Sequence, residues 1–123
     1  MSKTKTDGSF TLDQKKSEKA RKEECKSIME KYPDRIPILV SKSKVSKVTQ
    51  IDKQKYLCPK DLTISQFIYV IRRRLKFPPE TALFIFVNGT IPNGSQCLID
   101  LYERHKSSDG FLRITYSEEN VFG

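Results

Sequence analysis

The sequence predicts an α+β domain, and three observations carry that prediction. A strongly amphipathic segment with start and stop signals, Thr63–Leu75, stands between two short extended runs. Apolar residues alternate with a period of two at Ile36–Val40 and again at Phe111–Tyr116. Turn-forming clusters separate these runs, with Pro78-Pro79, Asn88-Gly89 and Ser107–Gly110 among them.

In chain order, Met1 to Phe10 is polar and charged and is expected to be a mobile tail. Residues 11–31 are rich in Lys, Glu, Ala and Arg, which favour helix. Their apolar positions are sparse (Ala20, Cys25, Ile28, Met29), so a helix there covers a domain and does not nucleate one. Two short helices, or one with a break near Ser17, fit this stretch. Tyr32-Pro33 ends it, since the residue before proline disfavours helical geometry.

Residues 32–117 form the expected domain. In Ile36–Val40 the side chains of Ile36, Ile38 and Val40 share one face, and Pro37 and Leu39 the other. The proline argues for an edge position or an incompletely paired face. A Lys- and Ser-rich loop follows, and Ile51–Cys58 returns as the second strand of a hairpin. In the helix Thr63–Leu75, Thr63 and Gln66 make a capping box, and Leu62 and Phe67 a hydrophobic staple. Ile64, Phe67, Ile68, Ile71 and Leu75 face the core. Arg72, Arg73 and Arg74 complement the helix dipole, and Pro78 blocks continuation. Ala82–Val87 reads as a buried strand. A helix capped by Ser95 or Asn93 runs to about Lys106, with Cys97, Leu98, Leu101 and Tyr102 on its apolar face. Phe111–Tyr116 is the last strand, and residues 118–123 form a short tail. Two strands, a helix across a sheet, then further strands is the β-grasp order of ubiquitin-like domains, here with two N-terminal helices added.

A chain of 123 residues suits one such domain with tails. No apolar run approaches the ~20 residues that cross a bilayer, and the N-terminus lacks the apolar region of a secretion signal. The net charge of +8 resides in residues 1–60, whereas residues 92–123 carry −2, which favours acidic partners. Cys25, Cys58 and Cys97 are isolated and odd in number, so they read as free thiols, with no metal site. No phosphate loop, metal-ligand cluster or nucleophile–base pair is apparent, and the single histidine, His105, reads as an exposed polar residue near a helix end. The expectation is a non-enzyme without cofactor. The arginine run and the lysines from Lys42 to Lys60 form a basic surface, but no nucleic-acid-binding motif accompanies them.

Several motifs together resemble one family. They are Tyr-Pro-Asp-Arg-Ile-Pro (32–37), Asp-Lys-Gln-Lys-Tyr-Leu (52–57), Pro-x-Asp-Leu-Thr-x-x-Gln-Phe (59–67), Ile-Arg-x-Arg (71–74), Phe-x-Phe-Val-Asn (84–88), Leu-Tyr-Glu-x-His-Lys (101–106), Asp-Gly-Phe-Leu (109–112) and Tyr-Ser-x-Glu-Asn-x-Phe-Gly (116–123). From about Glu24 to Gly123 the chain is similar to the autophagy ubiquitin-like modifiers, which include the microtubule-associated light chains and the GABA-receptor-associated proteins. The resemblance implies a modifier whose terminal glycine, here Gly123, is exposed by a cysteine protease. Activating and conjugating enzymes then carry it to phosphatidylethanolamine. It also implies a monomer of the cytoplasm and autophagosome membrane that recruits cargo receptors bearing aromatic-x-x-aliphatic motifs, added as a strand at the sheet edge.

By the same resemblance a first peptide pocket uses Glu24, Ile28, Pro37, Leu39, Lys55, Leu57 and Phe111. A second uses Tyr56, Cys58, Pro59, Leu62, Phe67 and Val70. Arg35, Lys53 and Arg74 meet polar or acidic parts of ligands. Strand alternation independently requires a second apolar surface beneath the N-terminal helix, since Pro37, Leu39 and Phe111 face away from the core side. The chain departs from the family in Ser17-Glu18 where Pro-Phe is usual, in its longer N-terminus, in Cys58 where valine is usual, and in Arg113 where an aromatic is common. An unlipidated peptide-binding adaptor of trafficking or microtubules is the other reading; a basic nucleic-acid binder is a third.

Overall fold

The computed structural model describes residues 17–48 and 50–119. The expected N-terminal tail, the start of the helical extension and the end of the C-terminal tail, Gly123 included, lie outside them. Helix α1 (Glu18–Lys31) begins at Ser17, whose hydroxyl accepts the Ala20 N–H at 3.1 Å. Serine at this place supplies a start signal of its own, because a hydroxyl satisfies one of the orphan first-turn amides.

Among the described residues, four strands make one mixed sheet: β1 (Arg35–Lys42), β2 (Lys55–Pro59), β3 (Phe84–Phe86) and β4 (Leu112–Ser117). Their spatial order is β2-β1-β4-β3, with β1 and β4 parallel and both outer pairs antiparallel. With helices α2 (Ile64–Leu75) and α3 (Leu98–His105) on one face, this is the α+β β-grasp architecture.

The main core joins Ile36, Ile38 and Val40 of β1, Ile64, Phe67 and Ile71 of α2, Leu98 and Leu101 of α3, and Leu112, Ile114 and Tyr116 of β4. The apolar faces expected from periodicity are therefore the buried ones. The α2 capping box forms, with Gln66 N–H donating to Thr63 Oγ1 at 3.2 Å and Thr63 N–H to Gln66 Oε1 at 2.9 Å. Asn88 and Gly89 both have positive φ (51° and 77°) inside a Val87–Thr90 bridge, as a two-residue hairpin requires.

Some expectations are corrected. β1 is an interior strand, not an edge. Val40 N–H donates to Gln54 O on the β2 side, so by alternation the missing amide of Pro37 points toward β4. The β1–β4 ladder begins only at Ile38, and the proline thus precedes it. α3 is capped by neither Ser95 nor Asn93. Its N-cap is Cys97, which makes no side-chain cap bond. The amides of Leu98 and Ile99 are instead taken by the carbonyls of Leu62 and Lys60, while Asn93 Oδ1 closes its own turn onto Ser95. The second strand is shorter than Ile51–Cys58, although Ile51 is buried and its N–H donates to the Tyr116 hydroxyl. His105 is half-buried, its Nδ1 2.9 Å from Asn88 Nδ2.

Candidate functional site

The candidate docking surface is built around β2, the strand at one end of the sheet. Its partner β1 covers one side of its backbone, and its other side is a sheet edge among the described residues. Side chains alternate across this edge: Tyr56 and Cys58 turn into the main core, Lys55 and Leu57 to the opposite face. Register places Pro37 beside Leu57 and Leu39 beside Lys55.

On that opposite face lies the second apolar cluster expected from the sequence. Cys25 of α1, Leu39 and Phe111 are buried together, with Ile28 and Met29 packed against them. The first-pocket residues are thus assembled from α1, β1, β2 and the residue before β4. Glu24 and Lys55 close one side as an ion pair at 2.9 Å, both half-buried. Leu57 and Ile28 remain half-buried, whereas Phe111 and Leu39 form the floor.

The second-pocket residues divide. Phe67 is fully buried, and Tyr56 meets it edge-to-face at 5.8 Å and 85°. With Cys58, these two are core residues, while Pro59, Leu62 and Val70 offer surface. Burial pushes the Tyr56 phenol up to about 12 and the Cys58 thiol to about 11, so both stay neutral and the thiol is a weak nucleophile. Beside Val70 a surface groove of about 380 Å³ is lined by Tyr69, Arg73 and Arg74 as well. Tyr69 is not among the residues that the sequence singles out, and Arg73 stands there only as part of the basic run. Their signal is that Tyr69 falls off the apolar stripe of α2 and sits 59% exposed.

The cations around the edge are differently engaged. Lys53 lies 5.0 Å above the Tyr56 ring. Arg35 reaches the Leu57 carbonyl at 3.5 Å, the limit of a hydrogen bond. Arg74 holds Asp52 through Nε and Nη2 at 2.8 and 3.3 Å, and those hydrogen bonds hold the Asp52 carboxyl below its ordinary value. Arg72 donates to the carbonyls of Pro78 and Thr81, and Arg73 stacks on Tyr69. The arginine run is therefore engaged in local contacts beyond any dipole effect.

A latch fixes α1 over this face. Asp109, 3% exposed, accepts from Arg113 Nη1 and Nη2 (3.1 and 2.9 Å), Arg21 Nε (2.9 Å) and the Phe111 amide (3.1 Å). Burial alone would raise its carboxyl; the bonds from Arg113, Phe111 and Arg21 outweigh that and bring it to about 2. Ser108 donates to Glu18, and Tyr102 donates to the Gly110 carbonyl at 2.8 Å. Gly110, at φ 95°, allows α1 to come close, because a Cβ there would sit 2.6 Å from Cys25 Sγ. Arg113, the departure from the family pattern, is thus half of the Asp109 clamp. Among the described residues no group of three metal-ligating side chains occurs.

Comparison with known proteins bears on this geometry. Residues 20–123 match the family model described as autophagy protein Atg8 ubiquitin like. The chain is 54% identical over 103 residues to autophagy-related protein 8 of Schizosaccharomyces pombe, covering 84% of this chain and 85% of that one. It is 53% identical over 104 residues to autophagy-related protein 8a of Arabidopsis thaliana, covering 85% of each. The crystal structure of Trypanosoma brucei ATG8 superposes with a TM-score of 0.81 at 34% identity, over 91% of this chain and 95% of that one.

Proposed function

The chain belongs to the Atg8 family of ubiquitin-like autophagy proteins, and from that premise we propose that it is a modifier conjugated through Gly123 to phosphatidylethanolamine. On the autophagosome membrane it recruits receptors by docking aromatic-x-x-aliphatic peptides along β2. Its partners in conjugation are the activating and conjugating enzymes and the processing cysteine protease. The chain is the group transferred and supplies no catalyst.

The single observation that supports docking is the edge strand β2 flanked by two apolar surfaces. A peptide laid along it gains main-chain hydrogen bonds, and its alternate side chains reach pockets on either side. The first surface, around Leu57 and Ile28, is half-open; the second is entered at Pro59, Leu62 and Val70. The Lys53 charge at the mouth suits the acidic flanks of such peptides.

Reconstituted conjugation tests the modifier half. The protein is mixed with the family's activating and conjugating enzymes, ATP and phosphatidylethanolamine liposomes, with Gly123→Ala alongside. A lipid adduct by mass spectrometry from the wild type alone is expected. No adduct, with enzymes shown active on another substrate, favours an unlipidated adaptor. For docking, Leu57→Ala is expected to weaken an aromatic-x-x-aliphatic peptide by about 1–3 kcal/mol in calorimetry. Unchanged affinity in a folded variant would sink the pocket assignment.

A further inference from the structure

The chain leaves β4 at Ser117, and the next side chain turns onto the loop after β1. Ser46 Oγ donates to Glu118 Oε1 at 2.6 Å, and the Lys47 N–H donates to Oε2 at 3.0 Å. Val48 N–H donates in turn to Ser46 Oγ at 3.2 Å. Ser46 is 7% exposed, so this hydroxyl is spent inside the fold and not on solvent. The Ser46 hydroxyl and the Lys47 amide also lower the Glu118 carboxyl below its ordinary value, in keeping with a carboxylate that accepts both bonds.

The loop is stitched to the end of β4 elsewhere as well. Ser43 N–H donates to the Tyr116 carbonyl at 2.8 Å, and Ile51 N–H to the Tyr116 hydroxyl at 2.7 Å. Four other side-chain atoms of the described loop, Ser43 Oγ, Gln50 Nε2 and both amide atoms of Gln54, are buried without hydrogen-bond partners. On the far side, Glu119 N–H donates to the Oγ of fully buried Ser117 at 3.0 Å. Both carboxylate oxygens of Glu118 are thus committed to one loop, immediately before the terminal segment.

We infer that Ser46 and Glu118 form a tether that fixes where the C-terminal segment leaves the domain, and that they are positioning residues for conjugation at Gly123. The inference rests on the conjugation reading above. The tether holds Glu118, so its loss moves the last side-chain-anchored position back by one residue, to the fully buried Ser117. The tethered root searches less space, so less freedom is lost when the glycine is threaded into an enzyme's channel. The tether acts on encounter and not on the acyl-transfer step.

The test uses the full chain as wild type, Glu118→Ala, Glu118→Gln and Ser46→Ala. Hydrogen exchange at the Lys47 amide reports the tether in the free protein, and thermal melts confirm folding. Initial rates of adduct formation against protein concentration then separate KM from kcat. Freeing about one residue predicts roughly a five- to thirtyfold rise in KM for Glu118→Ala, with kcat held. Glu118→Gln keeps one acceptor oxygen and falls between. Faster Lys47 exchange with unchanged KM overturns the positioning role, as does a lower KM or a change confined to kcat. Unaltered exchange in Glu118→Ala overturns the tether itself. No adduct from the wild type removes the conjugation reading, and the positioning role with it, while the exchange result still decides whether the tether exists.

Discussion

Replacing Asp109 with asparagine should detach α1 from the sheet without disturbing the core. The carboxylate is nearly inaccessible and accepts from two guanidinium groups and one amide. Its pKa of about 2 in the folded protein lies nearly two units below an ordinary aspartate. At 1.36 kcal/mol per unit, that is on the order of 2 kcal/mol of folding stability. Arg113 is 41% exposed, so solvent screens part of its share, and the working figure stays at about 2 kcal/mol.

The sign follows from the direction of the shift. A carboxyl held low in the folded state contributes fully above its unfolded value near pH 4, and that contribution is lost as pH falls through about 2. Asp109→Asn removes it at every pH. Urea unfolding at pH 7 should show a loss of about 2 kcal/mol, and between pH 4 and 2 the variant should lose stability less steeply than the wild type, by about one proton. Hydrogen exchange should quicken along α1, at Cys25 and Ile28, more than at Ile38 and Ile114. A variant within about 0.5 kcal/mol of the wild type, with the same acid slope, would refute the latch.

Two further substitutions probe neighbouring logic. Gly110→Ala drives a Cβ into Cys25 Sγ at 2.6 Å from a backbone with φ of 95°; the expected loss is about 1–3 kcal/mol, with Cys25 alkylated faster by a thiol reagent than in the wild type. Thr63→Ala removes the hydroxyl that accepts Gln66 N–H and should lower stability by about 1 kcal/mol in a denaturant titration, with peptide affinity unaltered.

Helix α2 was legible because independent local signals agree on it: a capping hydroxyl, an apolar stripe and a proline stop. The faces of β1 and β4 were legible because a period of two leaves one assignment of inside and outside. What local pattern cannot encode is which strand lies in the middle. Pro37 leaves an edge strand or an incompletely paired face equally open, and the β4 ladder, which starts only at Ile38, decides for the second. The cap of α3 is not legible for a similar reason, since the carbonyls of Leu62 and Lys60, 36 and 39 residues earlier, take the amides of Leu98 and Ile99. Among the candidate site residues, the first set lies together on the sheet face beneath α1. The second set mixes floor and surface. Alternation assigns Tyr56 and Cys58 a face, but their depth depends on α2 lying over them, and Phe67 itself is 0% exposed. Phe67→Ala would therefore report core stability before it reported docking.

On the docking proposal, charge selectivity along β2 turns on which cations are uncommitted. Lys55 already pairs with Glu24 and Arg74 with Asp52, at 2.9 and 2.8 Å. A ligand carboxylate approaching either must displace an existing partner, so the net gain is the small difference between two similar ion pairs. Lys53 faces only the Tyr56 ring, and Arg35 only a carbonyl at the limit of bonding distance, among their described side-chain contacts. An incoming acidic group gains most at these two, where no anion has to leave. They flank β2 at opposite ends: Lys53 precedes Lys55, and Arg35 pairs in register with Pro59. On the docking proposal, a strand-adding peptide with acids at both ends would meet Lys53 and Arg35 at once, whereas an acid beside Lys55 would compete with Glu24.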